Sequence, residues 1–219
     1  MGTEIDLLAN YPRTRRAVDE RAEQRSDEDC RIARRFGRDF FDGERRHGYG
    51  GYGYHPRFWQ PVVPAFVERY GLHASSRVLD VGCAKGFFLY DLTLAVPGIE
   101  VTGVDISTYA IHHAKTEVRD RLLVADAADL PFEDDSFDLV VSITTVHNLE
   151  GASLDRALGE IERVGRGQSF LTVDGWRTPE ERQRIEAWAL TAKTILHVDA
   201  WRERFAAAGY NGDYYWFMP

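Results

Sequence analysis

Residues Val78–Gly86 read VLDVGCAKG. A β-branched and leucine-rich run ends in an acid, then breaks into small residues. The run suits a strand buried on both faces. The small residues Gly82, Cys83, Ala84 and Gly86 suit a turn whose backbone approaches a ligand closely. Asp80 falls at the carboxyl end of the strand, where open α/β sheets bind ligands. Two later stretches repeat the pattern. Val101–Asp105, VTGVD, ends a second strand in a carboxylate. It lies about twenty residues past the first turn, the position of an acid that grips ribose hydroxyls. Ala125-Asp126-Ala127 closes a third strand, RLLVAD. Three acids at the tips of three successive strands point to a nucleoside-containing cofactor.

The chain around this unit alternates short apolar strands with amphipathic segments. Strands are expected at FDLVVSI, 137–143, and QSFLTVD, 168–174. Helices are expected at 86–95, 107–115 and 153–165. The alternation predicts an α/β fold, a mostly parallel sheet with helices on both faces. Thr178, Pro179 and Glu181 mark a helix start with a capping box, and Ile185, Trp188, Ala192 and Ile195 are expected along one side of that helix. Asp199 is the expected cap of a last helix carrying Trp201 and Phe205, and YNGDYYWF, 210–217, reads as an edge strand. Upstream, Ser26 is the expected cap of a helix over 27–36 that Gly37 ends. A helix from Val62 to Tyr70 ends at Gly71. Residues 1–60 read as an N-terminal helical extension with a Gly/Tyr-rich lid, and 61–219 as the cofactor-binding domain.

The turn GCAKG is not the GxGxxG that supports a pyrophosphate at a helix N-terminus. Asp80 just before it suits a cationic ammonium instead. The cofactor should therefore carry an amino-acid-like positive end and no phosphate. VLDVGCAKG, VTGVDIS and DAADLPFEDDSFDLVVS together resemble the class I S-adenosylmethionine-dependent methyltransferases, in their small-molecule branch, across roughly residues 60–219. The resemblance implies a Rossmann-like sheet and S-adenosyl-L-methionine as cofactor. It places Asp80 and Gly82, with Cys83 and Gly86, in the methionine-binding turn. It pairs Asp105 with the ribose, packs Ile106 on adenine, and sets Asp126 and Ala127 at the edge of the adenine ring. Ala84 stands where the family carries glycine, a mild departure, and Lys85 is expected to point outward. The family's sheet ends in an antiparallel hairpin. This chain supplies one strand after its last helix, so a shortened hairpin with an exposed edge is expected, and with it a surface for a homodimer.

Methyl transfer is an in-line displacement that demands a close, aligned nucleophile. The acceptor should sit beyond the fourth strand, at TTVHNL, 144–149. His147 is the candidate base, its alternative being a satisfied histidine that caps a short helix. Asn148, Asp174 and Trp176 are candidate substrate contacts at the same mouth. The stretch His47–Trp59, HGYGGYGYHPRFW, precedes the cofactor domain and reads as a lid crossing that mouth. Tyr49 and Tyr52 are expected on the cofactor, Arg57 on its carboxylate, and Tyr54 and His55 on the substrate. Phe58 and Trp59 are expected to anchor the segment. No metal site is expected.

Composition narrows the acceptor. The 219 residues are 44% hydrophobic and 28% charged, with a net charge of -8. That balance gives no general attraction to nucleic acid or to an anionic membrane. ITTVHN also lacks the Asn/Asp-Pro-Pro-aromatic motif of the family's nucleic-acid amine methylases. The clusters Arg13, Arg15, Arg16 and Arg31, Arg34, Arg35, Arg38 have acidic neighbours and read as solvated surface. Two cysteines without a spacing motif, and no basic-then-apolar start, point to the cytoplasm. A small polar metabolite is the expected substrate, with a slight lean to an amine such as an amino sugar or amino-acid-like compound. The alternatives are a small-molecule O-methyltransferase, a protein or peptide methyltransferase, and a binding protein that keeps the fold without turnover.

Overall fold

The computed structural model describes residues 2–12 and 18–219, so Arg13, Arg15 and Arg16 lie outside the described residues. Seven strands form the sheet: β1 Arg77–Val81, β2 Glu100–Asp105, β3 Leu122–Val124, β4 Leu139–Ile143, β5 Ser169–Trp176, β6 Leu196–His197 and β7 Asp213–Phe217. The helices are α1 Val18–Gln24, α2 Asp27–Ala33, α3 Arg38–Asp42, α4 Pro56–Trp59, α5 Val63–Tyr70, α6 Phe87–Ala95, α7 Thr108–His112, α8 Gly151–Val164, α9 Pro179–Trp188 and α10 Val198–Ala207. The strand order begins β3-β2-β1-β4-β5, every pairing is parallel, and β6 and β7 both pair with β5. The chain leaves β1 toward β2 and later returns to β4 on the other side. That reversal opens a crevice at the carboxyl ends of β1 and β4.

The strands are apolar on both sides because alternate residues feed two helical layers. Val78, Leu139, Val141 and Phe170 pack with Val63 and Phe66 of α5 and Phe88, Leu89 and Leu92 of α6. Leu79, Val81, Val140, Leu171 and Val173 pack with Leu154, Leu158 and Ile161 of α8 and with Trp201 and Phe205 of α10. Gly71 closes α5 in the left-handed conformation, as its sequence predicts.

Several local expectations change. Ser26 does cap α2, in a capping box with Asp29, but the helix stops at Ala33 and Phe36 itself turns left-handed, with φ 49°. Thr178 and Glu181 form their capping box, yet α9 ends at Trp188. Residues beyond it leave the helix because their backbone is needed elsewhere: the N–H groups of Lys193 and Thr194 both donate to the His147 carbonyl, at 3.0 Å. The cap of α10 is His197, which accepts from the Asp199 N–H, so Asp199 lies inside the helix.

The end of the sheet also differs. β7 runs parallel to β5 and sits directly beside it, with Phe170 opposite Asp213 and Asp174 opposite Phe217. Its outer side meets the N-terminus: Ile5 N–H donates to the Tyr214 carbonyl at 3.0 Å, and Tyr214 N–H to the Thr3 carbonyl at 3.1 Å. Glu4 pairs with Arg202 at 2.8 Å and with Arg177. The edge expected to be open, and the ground for a homodimer there, is thus occupied by the chain's own first residues. Asp213 fastens this corner. Its carboxylate accepts from Thr3 N–H at 2.8 Å, from Arg69 Nε at 2.9 Å and from the Tyr70 hydroxyl at 3.1 Å. Burial pushes its pKa up, but Arg69, Thr3 and Tyr70 outweigh that and hold it below the usual value.

Asp213→Ala strands these donors and should cost about 2–4 kcal/mol, read by urea unfolding. A depressed folded pKa means the stabilisation is present above the unfolded carboxylate range and is lost as pH falls through the folded value. The difference between wild type and variant should accordingly shrink in acid.

Candidate active site

The crevice at the strand ends widens into a cleft of about 1640 Å³. Asp80, Asp105 and Asp126 all open into it, as do Gly82, Cys83, Ile106 and Ala127. The three acids have different surroundings. Asp105 accepts Ala84 N–H on one oxygen and Ser107 N–H on the other, both at 2.8 Å. Burial raises its pKa and these two bonds oppose the rise. Asp126 uses one oxygen to accept Ala128 N–H at 2.9 Å. Asp80 is 5% exposed, and among the described residues no donor meets its carboxylate. Burial, with the Asp105 charge beside it, pushes its pKa up to about 8. An acid left in this condition is a receptor for a cation.

The turn itself is tight. Gly82 has φ 89°, and a Cβ there would come within 2.0 Å of Thr145 Oγ1. Ala84, the departure from the family's glycine, takes φ 50°. An L-residue resists that conformation by about 1–2 kcal/mol, and the bond from its N–H to Asp105 holds it there. These features fit S-adenosylmethionine: an uncompensated buried acid for the ammonium, an acid with spare lone pairs for the ribose diol, and Ile106, an apolar side chain left 56% exposed, for the adenine face.

The mouth is crossed by residues 36–55. Lys85 points inward, contrary to the expectation from sequence. It is 6% exposed, and its Nζ donates to Asp42 Oδ2 at 2.6 Å and to the Tyr52 carbonyl at 2.8 Å. Asp42 also accepts from the Tyr109 hydroxyl and from Tyr52 N–H, both at 2.8 Å. Burial raises the Asp42 pKa, but these donors outweigh it and hold the carboxylate below its ordinary value. Ser107 Oγ, which caps α7, donates to the Phe36 carbonyl. Tyr49 and Tyr52 line the cleft with ring centroids 4.3 Å apart, and Tyr52 stacks on Phe87 at 5.1 Å. Burial, with Tyr49 and the acids Asp80 and Asp105 nearby, holds the Tyr52 hydroxyl well above its ordinary pKa.

Beyond β4 the cleft is walled by Thr144, Thr145, His147, Asn148 and Asp174. Thr144 is left-handed at φ 52°, a costly conformation for a β-branched residue. Its N–H is held by the Thr172 carbonyl at 3.0 Å and hydroxyl at 2.8 Å. His147 is 4% exposed. Its Nδ1 accepts the Asp174 N–H at 3.0 Å, which puts the ring proton on Nε2. Burial lowers its pKa, and the Asp174 carboxylate, 3.3 Å from Nδ1, opposes this only in part. The ring is therefore neutral and presents an N–H donor, not the free lone pair that a base needs. Asn148 Oδ1 is buried and, among the described residues, has no donor.

Four residues placed at the site by sequence do not line the cleft: Tyr54, Arg57, Gly86 and Trp176. Tyr54 donates to Asp91 at 2.7 Å and packs edge-on to Tyr90, on the outer side of α6. The Arg57 guanidinium lies over Phe58 at 4.7 Å, exposed, so it does not reach a cofactor carboxylate. Gly86 is the left-handed cap of α6, and a Cβ on it would press on Leu122 and Val118. Trp176 packs against His197 and under Arg182. His55 does line the cleft, while its Nδ1 caps α4 through Arg57 N–H at 3.2 Å. Trp59 anchors the segment on Phe88, at 5.3 Å, and Tyr11 covers both Phe58 and Trp59. Sequence reasoning missed Asp42 and Tyr109. The one available signal was Lys85, a lone charge in a turn of small residues.

Removing one partner of a buried pair is costly because the other stays uncompensated. Lys85→Met should lower stability by about 3 kcal/mol, and Asp42→Asn by a similar amount. The double variant should lose clearly less than the sum in a urea double-mutant cycle.

Residues 79–173 match the family model described as a methyltransferase domain. A malonyl-[acyl-carrier protein] O-methyltransferase of Legionella pneumophila is 34% identical over 132 residues, covering 58% of this chain and 45% of that protein. A demethylmenaquinone methyltransferase of Roseiflexus is 35% identical over 107 residues, covering 47% and 45%. The chain thus spans less than half the length of either relative. The crystal structure of the YcgJ protein from Bacillus subtilis superposes with a TM-score of 0.53 at 21% identity, covering 67% of this chain and 66% of that one, a likeness of fold. The parallel sheet, the acid-tipped strands around one crevice and the matched segment agree, and the chain has the Rossmann-like fold of the class I methyltransferases, with residues 79–173 matching a methyltransferase domain.

Proposed function

We propose that the chain transfers a methyl group from S-adenosylmethionine to a small polar acceptor, with residues 1–60 serving as the lid of a cofactor domain formed by 61–219. The observation that carries this reading is Asp80, a buried acid without a donor that opens into the cleft beside Asp105. The bound cofactor would supply an electrophilic sulfonium methyl. Asp80 would take its ammonium, Asp105 its ribose, and Asp126 with Ile106 and Ala127 its adenine. Tyr49 and Tyr52, pinned through Lys85 and Asp42, would keep water from the reacting atoms.

The acceptor would lie against His147 and Asn148. The sequence leans to an amine because Asp174 is acidic. In the fold, the Asp174 carboxylate lies against His147, and its carbonyl accepts from Trp201 Nε1 at 2.8 Å. A neutral His147 with Nε2–H as its donor suits an oxygen acceptor that arrives as a carboxylate or enolate and needs no base. An amine is the second reading, supported by Asn148 Oδ1, which lacks a donor among the described residues and would accept an N–H.

Two measurements test this reading. Asp80 must be ionised to hold an ammonium, yet it keeps its proton to about pH 8 in the free protein. Calorimetric titration with S-adenosylhomocysteine near neutral pH, in buffers of different ionisation enthalpy, should show release of close to about one proton. Affinity should rise as pH approaches 8. Asp80→Asn should abolish the release and weaken binding by at least about tenfold. No binding to the wild-type chain would sink the reading. Radiolabelled methyl transfer to a panel of small carboxylates, alcohols and amines checks the acceptor. His147→Gln, which keeps a donor, should retain more activity than His147→Ala, with no change in the pH at half-maximal rate. A lost alkaline or acid limb in either variant would restore His147 as a base.

A further inference from the structure

The cleft has a second electrostatic character, opposite in sign to that of its three acids. Arg21 on α1, Arg25 just after it, Arg34 and Arg35 after α2, and Arg45 in the short 3-10 helix Arg45–His47 all line it. Arg34 and Arg35 are therefore not simply part of a solvated charge cluster. Among the described residues, none of the five is within ion-pairing distance of a carboxylate. They are oriented by main-chain carbonyls: Arg25 donates to Glu186 O at 2.7 Å and Ala189 O at 2.6 Å, and Arg34 reaches Thr191 O and Ala192 O at 3.4 Å. Arg21 donates to Arg45 O at 3.4 Å and Gly48 O at 3.3 Å. The guanidiniums of Arg21 and Arg45 share the face of Trp188, at 4.2 Å and 5.9 Å from its centroid. The Arg35 side chain has no partner among the described residues.

A carbonyl fixes a guanidinium in place without cancelling its charge. The crowding is felt at Arg21, where burial and then the like charges of Arg45 and Arg25 pull the pKa down to about 10. A chain with a net charge of -8 that sets five uncompensated guanidiniums along one wall of its cleft has prepared that wall for an anion.

We propose that this wall binds a phosphate or diphosphate group carried by the acceptor molecule, while the methyl-accepting end reaches His147 and Asn148. The proposal rests on the methyl-transfer reading above for what the acceptor does, though not for the anion site itself. A phosphate or diphosphate brings two or three charges and several acceptor oxygens, which matches several guanidiniums. A single carboxylate would leave most of the wall uncompensated. A nucleic-acid strand fits less well, because the arginines face into a cleft that also holds Asp80, Asp105 and Asp126, not along an open basic groove.

The test is calorimetric titration of inorganic pyrophosphate into the full chain saturated with S-adenosylhomocysteine, with citrate as a multivalent carboxylate control. Pyrophosphate should bind at least about tenfold more tightly than citrate. Arg35→Glu alters an exposed residue without a partner and so carries little risk to folding. It should weaken pyrophosphate by at least about tenfold and leave the affinity for S-adenosylhomocysteine within about twofold. Arg25→Gln, which keeps an amide donor for the Glu186 carbonyl, should act in the same direction. Absence of pyrophosphate binding on protein that binds S-adenosylhomocysteine normally would overturn the proposal. So would equal binding of citrate, indifference of both variants, or displacement of pyrophosphate by a short RNA that binds more tightly. A chain that binds pyrophosphate through these arginines but not S-adenosylhomocysteine would support the anion site and refute the methyl-transfer reading.

Discussion

Lys85 is a charged residue in a turn that otherwise consists of small ones, and it is almost completely buried. Such a charge survives only with close partners. It finds them in Asp42 and in the Tyr52 carbonyl, on a segment that lies 33 to 43 residues earlier in the chain. One ion pair therefore joins the two halves of the site. The turn after β1 is the floor on which the cofactor's amino-acid end would rest, and the segment from Phe36 to His55 is the roof. Because Asp42 also accepts from Tyr109 on α7, the roof is fixed both to the cofactor turn and to the helix that follows β2. The aromatic rings of Tyr49 and Tyr52 are consequences of this fastening.

The cleft between floor and roof is electrically divided. On the strand side, Asp80, Asp105 and Asp126 mark out a cationic and hydroxyl-bearing ligand. On the side formed by α1, α2 and the 3-10 helix, five guanidiniums stand, among the described residues, without a carboxylate within ion-pairing distance, while Arg46 pairs with Glu44 and Glu20 also lines the cleft. The division would let an acidic chain hold a cationic cofactor and the proposed anionic acceptor in one cavity. Each ligand meets the opposite sign, and the two would approach one another across the neutral wall of Thr144, His147 and Asn148. Local field, not net charge, then decides what is recognised.

The parts of this arrangement that obey short-range rules were legible in the sequence. Strand alternation gave the two-layered parallel sheet, and the acids at the tips of β1, β2 and β3 gave the cofactor side of the cleft. Thr178 with Glu181, and Ser26 with Asp29, announced their helices through a capping chemistry confined to four residues. The parts set by distant contacts were not legible. Lys85 turns inward because of Asp42. The edge of β7 is covered by Thr3 to Ile5, some 210 residues away in sequence. Trp188 ends α9 because the backbone that follows is recruited by the His147 carbonyl. The tautomer of His147 is set by the N–H of Asp174. Tyr54 and Arg57 looked available because their neighbours were glycines and aromatics, but their partners lie on α6 and in their own short helix. The acidic sequence neighbours of Arg34 and Arg35 suggested neutralisation that the fold does not provide.

The central claim is that Asp80, Asp105 and the pinned aromatic roof form one receptor for an S-adenosyl cofactor. A crystal structure of the chain with S-adenosylhomocysteine tests it most directly. The ligand's ammonium should lie within hydrogen-bonding distance of the Asp80 carboxylate and its ribose diol on Asp105, with the Lys85–Asp42 pair intact and Tyr52 over the amino-acid end. A ligand that leaves Asp80 unpartnered, or that sits with its ribose away from Asp105, would contradict it.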